Sequence, residues 1–526
     1  MTYASHFSLR RTPQSEPLRG TVPNSGGGHA FALSDWARLE RFLVLGSEGG
    51  SYYATPRKLT RENAQAVLRC LAEDGARAVA TIVAVSEDGR APKQDPAIFA
   101  LALAAAAEGE DALATRRAAL AALPRVCRTG THLFQCAVAV EAMRGWGRGL
   151  RRAVGAWYLE RPLDALAYQA VKYRSRAGWS HRDLLRLAHP ETGEPARAAL
   201  FDWVCRGTLG EATPAIVHAF AAVQAEGVNG ATAAAMVRSH GLPWEALPTG
   251  LMTSPAVGAA LVERMPIGAL VRQLGRLTAM GTLKPFAAET EHVVAVLSDR
   301  ERILKARLHP MALLLALRTY AAGHGERGKL SWEPVAAIVE ALNAAFYTAF
   351  AAVRPTGKRL VLALDVSGSM AMGGVAGSSL TPREAAAAMA LVTAATEERW
   401  QAVGFTGSLM PLTIGPSMRL DAAVAATAGL PFGATDCAQP MLWALERGIA
   451  ADAFVVYTDS ETWAGKVHPV EALRTYRKKT GIAAKLVVVG LVSNGFSIAD
   501  PDDAGMLDVV GFDTGAPAVI ADFIRA

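Results

Sequence analysis

"LALDVSGSM", residues 362–370, carries an apolar run straight into an acid and two hydroxyls. Asp365, Ser367 and Ser369 stand at alternate positions, and alternate residues of an extended chain can point the same way. The run they follow, "RLVLAL" (359–364), is one of five short apolar or β-branched stretches. The others are "WQAVGF" (400–405), "AFVVYT" (453–458), "KLVVVGL" (485–491) and "MLDVVGF" (506–512). Helical patterns fall between them at 382–398, 437–448 and 468–479. This alternation predicts a doubly wound parallel sheet, and the continuous apolar strands predict that both its faces are covered.

In such a sheet, ligands bind beyond the carboxyl ends of the strands. Asp365 lies at one such end. Thr435, in "FGATDC" with Asp436 beside it, and Asp459, just after "AFVVYT", lie at two others. Carboxylates and hydroxyls, with no His or Cys among them, suit a hard divalent cation such as Mg²⁺. The plainer alternative is that Ser and Thr cap helices and Asp459 closes a turn. D-x-S-x-S, then Thr, then Asp on three loops resembles the metal-ion-dependent adhesion site (MIDAS) of von Willebrand factor A domains. The likeness covers about 358–526. It implies that Asp365, Ser367, Ser369, Thr435 and Asp459 hold the ion directly or through water, and that a partner's acidic group completes the shell. A retained fold with an empty metal site is the other possibility.

Upstream of "VRPTGK" (353–358) the style differs. From 34 to 352 the chain is Ala- and Leu-rich, with apolar spacings of three and four as in "ENAQAVLRCLAED". Gly- and Pro-containing breaks such as "LPRVCRTG" and "HPETGEP" divide it into short helices. So many consecutive short helices point to an α-solenoid of degenerate pairs rather than a simple bundle. Residues 1–30, with "PNSGGGHA", read as an arm that is ordered only if something holds it. The expected division is therefore an arm at 1–30, a helical region at 31–357 and the sheet domain at 358–526.

The totals agree with a multidomain globular chain. It has 526 residues, 51% of them apolar, and its longest apolar run, 97–107, is too short for a bilayer span. "MTYASHFSLRRTPQSEPLRG" lacks the apolar core of a secretory signal. Five scattered cysteines (70, 127, 136, 205 and 437) make no C-x-x-C pair, which argues against a disulfide framework and fits a reducing cytoplasm. Residues 358–526 carry 13 Lys and Arg against 17 Asp and Glu, leaving 41 and 31 for residues 1–357. A basic N-terminal part suits a polyanionic partner, and an acidic C-terminal part suits a cation.

The basic charge gathers with aromatics in "RGWGRGLRRAVGAWYLERPLDALAYQAVKYRSRAGWSHRDLLRLAHP" (144–190). With 163–177 on one helix, Leu163, Leu166, Ala167, Ala170 and Val171 form the apolar stripe. Lys172 then falls about 180° and Arg176 about 220° from Leu163, and Tyr168 precedes Lys172 on that outer face. Arg174 falls near the apolar side. Ser180 with Asp183 is a box-like cap, placing His181 and Arg182 in the first turn of a new helix, a natural phosphate site. Basic residues interleaved with Trp and Tyr suit RNA. The plainer alternative is a helix pair with a solvated basic face and a histidine that packs.

The whole pattern resembles the Ro autoantigen family, in its bacterial form. "RFLVLGSEGGSYY" (41–53), "WGRGLRRAV", "VKYRSRAGWSHRDLLRL", "RGKLSW" (327–332), "PTGKRLVLALDVSGSM" and "GATDCAQPMLWA" carry the likeness in order along the chain. Many eukaryotic members have Ala where this chain has Gly368, which leaves the metal-ligand types intact. The resemblance implies a TROVE module, a ring of HEAT-like helical repeats, closed by a von Willebrand factor A domain. It implies small structured non-coding (Y-like) RNA on the outer basic surface, with Lys172, Arg174, Arg176 and His181 as contacts. Arg148, Arg151 and Arg152 join them on charge alone. It further implies single-stranded 3′ ends of misfolded RNA in a central hole, and tethering through RNA to polynucleotide phosphorylase. The protein would be a monomeric scaffold for RNA quality control, not an enzyme. The competing reading is a metal-dependent protein-interaction module without physiological RNA. A catalytic metal at Asp365 and Asp459 has no base or nucleophile evident beside it.

Overall fold

The computed structural model describes residues 11–46, 59–109, 112–176, 178–325, 329–350, 353–415, 418–428 and 433–526. Parts of the stretches at 41–53 and 327–332 lie outside the described residues. The chain divides into two compact units. One joins the N-terminal segment to residue 69, residues 90–96 and everything from 350; the other holds 70–89 and 97–349.

The first unit is built on a six-stranded sheet. Its strand order is Met506–Val510, Lys485–Gly490, Ala453–Thr458, Leu360–Asp365, Trp400–Phe405 and Leu409–Pro411. The first five are parallel and the last, a short edge strand, is antiparallel. The five strands expected from β-branched runs are thus the five parallel strands. Every residue of 360–365 and 453–458 is buried, as a strand covered on both faces requires. Helices Pro382–Thr396, Gln439–Glu446 and Pro469–Thr480 lie where the sequence pattern placed them. Phe405, Met441, Phe454, Val456, Leu473 and Tyr476 belong to one core cluster. The edge strand and helices Leu420–Ala428 and Ala516–Arg525 carried too little pattern to be anticipated.

The division differs from a cut at 357/358. Helix Asp35–Leu45 belongs with the sheet because Arg41, 1% exposed, is buried against it. Its guanidinium donates to both oxygens of Asp508 (2.7 and 2.8 Å) and to Asn494 Oδ1 (2.9 Å). The arm is held as well. Strands Thr21–Pro23 and His29–Ala32 pair antiparallel, and Phe496–Ser497 adds to them. A Cβ at Gly28 would come within 2.0 Å of the Thr462 carbonyl oxygen, so only glycine lets the arm lie this close.

The second unit is helical. Neighbouring helices pack pairwise, for example Gly75–Glu87 on Ala112–Val126, Gly230–His240 on Pro255–Arg264, and Pro310–Ala321 on Ala336–Thr348. A two-stranded hairpin, Ser175–Arg176 with Trp179–Ser180, is the only sheet among its described residues. No helix among the described residues is long and apolar enough to cross a membrane.

Candidate metal loop and nucleic-acid interface

The Leu360–Asp365 strand delivers Asp365 to the carboxyl end of the sheet, and Ala453–Thr458 delivers Asp459 to the same end beside it. Asp365, Ser367, Ser369, Thr435 and Asp459 are all buried. Asp365 accepts from Ser367 N (2.9 Å) through one oxygen and from Thr458 Oγ1 (2.6 Å) through the other. The Ser367 and Ser369 hydroxyls lie 3.1 Å apart. The Thr435 carbonyl accepts from Trp463 N and Ala464 N, both at 3.0 Å, which ties the second loop to the third. Asp459 Oδ1 accepts from Glu461 N (3.0 Å), while Oδ2 is buried with no hydrogen-bond partner among the described residues.

Two buried carboxylates close enough to feel one another are costly without a cation. Burial, then the charge of Asp459, pushes the Asp365 carboxyl up to about 7. Burial also raises Asp459. Among the described residues no three His, Cys, Asp or Glu side chains converge as a metal cluster, so an ion here would rely on two carboxylates and hydroxyls. That donor set, with an orphaned carboxylate oxygen, fits a hard divalent cation.

Three features around these loops were not anticipated. Arg383, on the helix that starts at Pro382, donates to the backbone carbonyls of Val366 and Ser367 and clamps the metal loop. Glu461 is fully buried, and burial with the Asp459 charge pushes its carboxyl up to about 7. The arm reaches both flanking loops: Gly26 N donates to Glu461 (3.0 Å) and Gln14 Nε2 to Asp436 (2.6 Å). Only the close spacing of Asp459 and Glu461 was visible in the sequence.

In the helical unit, the basic stretch departs from its helical projection. The helix Leu163–Lys172 ends four residues before Arg176, because Tyr173 leaves helical dihedrals (φ −110°, ψ 76°) and the hairpin begins. Its stripe is correct at Leu166, Ala167, Ala170 and Val171, all buried. The outer face is not open, however. The 3-10 turn Trp244–Ala246 packs on this helix, and the Lys172 side chain is only 8% exposed. Its ammonium lies 5.4 and 5.3 Å from the ring centroids of Tyr168 and Tyr173 and 3.9 Å from Glu245. Burial lowers its pKa.

Arg174 and Arg176 are exposed, Arg174 over the Phe220 ring at 5.2 Å, and Arg176 in the hairpin rather than on a helix face. Arg148, Arg151 and Arg152 are exposed on helix Arg148–Leu159. The capping box of Ser180 and Asp183 forms as its spacing indicates and starts helix His181–Ala188. Exposed Arg182 sits in the first turn, but His181 does not face solvent, at 3% exposure. Phe134, Trp157 and Tyr158 surround its ring, and its Nδ1 lies 2.7 Å from the Tyr158 hydroxyl. Burial lowers its pKa to about 4, against a smaller opposing effect of the Gln169 backbone. The capping geometry turns the first side chain of this helix inward, which spacing alone does not reveal. His181 floors a cavity of about 440 Å³ whose other walls include Arg174, Arg182, Trp203 and Phe220. Beside it Trp146 and Trp179 stack at 5.5 Å. The surface therefore pairs exposed cations with flat rings, and Arg174, Arg176 and Arg182 form no ion pair with a described carboxylate.

Comparison with known proteins bears on both regions. Residues 359–524 match the Ro60 vWA domain, and residues 22–209 and 204–319 match the TROVE domain. The chain is 44% identical to the RNA-binding protein RO60 of Deinococcus radiodurans, over 98% of this chain and 97% of that one. It is 35% identical to the RNA-binding protein RO60 of Caenorhabditis elegans, over 98% and 92%. The crystal structure of the Deinococcus radiodurans RO (RSR) protein superposes with a TM-score of 0.71 at 43% identity, covering 94% of this chain and 99% of that chain.

Proposed function

The chain belongs to the Ro60 family, and from that premise we propose that it is an RNA-binding scaffold rather than an enzyme. The observation that carries the reading is the likeness, along essentially the whole chain, to proteins named for RNA binding. Unpaired cations among aromatic rings support it, because phosphates need the first and unstacked bases the second. In this reading small structured, Y-like RNA lies across Arg174, Arg176 and Arg182. His181 supports that surface from beneath, and Lys172 acts from a recess. The finer assignments are part of the proposal: single-stranded 3′ ends of misfolded RNA in a central hole, and delivery through RNA to polynucleotide phosphorylase. So are a monomeric state, a cytoplasmic setting and a role in RNA quality control.

We further propose that Asp365, Ser367, Ser369, Thr435 and Asp459 hold a divalent cation, Mg²⁺ by donor type. The ion would supply a Lewis-acidic position for a partner's carboxylate. This chain's part is to fix the loop backbone through Arg383 and to offer an unpaired oxygen at Asp459. A metal-dependent protein contact is thus a second role beside RNA, carried by that donor set.

A fluorescence anisotropy titration of a small stem-loop RNA tests the first reading. Wild type should bind tightly, and an Arg174→Ala/Arg176→Ala/Arg182→Ala variant of unchanged melting temperature should bind at least about 30-fold more weakly, the loss expected for three phosphate contacts. Equal, weak binding by both would overturn it.

A further inference from the structure

The arm carries a buried side chain to the metal-loop end of the sheet. Gln14 is 0% exposed and belongs to the same compact unit as the sheet. Both N–H donors of its amide and its oxygen are engaged. Nε2 donates to Asp436 Oδ1 (2.6 Å) and to the Val467 carbonyl (2.8 Å), and Oε1 accepts from the Thr462 hydroxyl. Asp436 directly follows Thr435, and Thr462 lies three residues after Asp459. One amide from the arm therefore ties together the two loops that carry Thr435 and Asp459. The crossing leaves no room for another side chain: a Cβ at Gly465 would lie 2.2 Å from Gln14 Nε2 and 2.4 Å from Asp436 Oδ1.

Asn24, also buried, makes a second brace. Its Nδ2 donates to the Thr462 carbonyl (2.7 Å), and its Oδ1 accepts from Gly26 N (3.1 Å) and Gly28 N (2.9 Å). Gly26 N also reaches Glu461 Oε2 at 3.0 Å. The Thr462 hydroxyl in turn accepts from Cys437 N (3.1 Å), so both braces and the Thr435 loop meet at one residue. The Asp459 loop needs such support. Ser460, next to Asp459, lies in the left-handed region at φ 62°, a conformation that a residue with a Cβ keeps only where its surroundings over-determine it. Local bonds from Ser460 N to Thr458 Oγ1 (3.0 Å) and from Glu461 N to Asp459 Oδ1 (3.0 Å) hold the near side of the loop. The arm holds the far side, through Glu461 and Thr462.

We infer that Gln14 and Asn24 are positioning residues of the divalent-cation site. Docking of the arm sets the Thr435 and Asp459 loops for the ion, and a bound ion in turn holds the arm in place. The inference rests on the metal-site reading above and adds a control of its affinity from a distant part of the chain. Residues that touch no ion themselves but orient those that do typically change metal affinity by roughly 10–100-fold when replaced. Linkage makes the effect reciprocal: the factor that the docked arm adds to ion affinity is the factor that the ion adds to arm docking.

The test is calorimetric titration of Mg²⁺ into the full chain, paired with trypsin cleavage of the arm. Gln14→Met keeps the length of the side chain and removes its hydrogen bonds; Asn24→Ala removes the second brace. Each should raise the Mg²⁺ dissociation constant by about ten-fold. Cleavage is read at Arg19, an exposed residue between Leu18 and Thr21, which are hydrogen-bonded to each other in the docked arm. Saturating Mg²⁺ should slow it by a similar factor in wild type and not in Asp459→Ala, because cleavage follows the population of the released arm. A brace that served stability alone would lower the melting temperature and move neither readout. The cleavage comparison needs no substitution in the arm, so it decides the matter if Gln14→Met melts early. Wild-type Mg²⁺ affinity in a folded brace variant, or wild-type cleavage indifferent to bound Mg²⁺, overturns the coupling and leaves the metal site standing. No Mg²⁺ binding by wild type, or binding unchanged in Asp459→Ala, overturns the metal-site reading and the coupling with it.

Discussion

Burial keeps His181 neutral, and this gives it a measurable signature. Its pKa in the fold is about 4, below the ordinary value near 6.5. Between those values the unfolded chain takes up a proton that the folded one refuses. The stability contributed by neutral His181 is therefore complete above about pH 6.5 and is lost as pH falls toward 4, by about 3 kcal/mol in all. Thermal melts from pH 7 to 4 should fall more steeply for wild type than for His181→Gln, which cannot titrate. Parallel curves would mean that the ring is solvated. Gly130 adds a steric check: a Cβ there would meet the imidazole at 2.8 Å, so Gly130→Ala should lower the melting temperature by disturbing the same packing. Both substitutions should weaken RNA binding only so far as they disturb the Arg174 and Arg182 surface above them.

At the scale of elements, two contacts join sequence-distant segments to the sheet domain. Arg41 is buried against the partly buried Asp508, so Arg41→Ala leaves that carboxylate, sheltered from water, without its cation. It should cost about 3–5 kcal/mol, read as a drop in the chemical-denaturation midpoint. The arm's fit at Gly28 predicts that Gly28→Ala also destabilises this unit, since the Thr462 backbone must move. The metal loop gives the opposite sign. Mg²⁺ at about a hundred times its dissociation constant should stabilise wild type by about 2.7 kcal/mol. Calorimetry with Mg²⁺ and with EDTA should show that increment vanish in Asp459→Ala. An equal shift in both proteins would place the ion elsewhere. The parallel strands and their helices were legible because β-branched runs and helical spacing alternate cleanly after residue 358. The end of helix Leu163–Lys172 was not, because no Gly or Pro marks it and the hairpin that stops it is stabilised by the pairing of Ser175 with Ser180 and Arg176 with Trp179.

For the whole molecule, sequence order carried further than any single side chain. Charge suggested only a polyanionic partner and a cation; long motif stretches in order, from "RFLVLGSEGGSYY" to "GATDCAQPMLWA", carried the resemblance to the family that the full-length likeness establishes. Hidden from the sequence were the long-range contacts: the arm and helix Asp35–Leu45 joined to the C-terminal unit, Lys172 covered by the Trp244–Ala246 turn, and His181 turned inward. Each depends on residues tens to hundreds of positions apart, which local periodicity does not encode. In the proposed reading phosphate contacts, not the metal loop, bind RNA. The direct measurement is the affinity for a stem-loop RNA from 50 to 200 mM salt, with Mg²⁺ and with EDTA. Phosphate binding should give a steep linear fall of log affinity with log salt, a slope lower by about 2–3 in the triple arginine variant, and little effect of EDTA once the RNA is folded. A flat salt response with binding abolished by EDTA would contradict it and assign recognition to the metal loop.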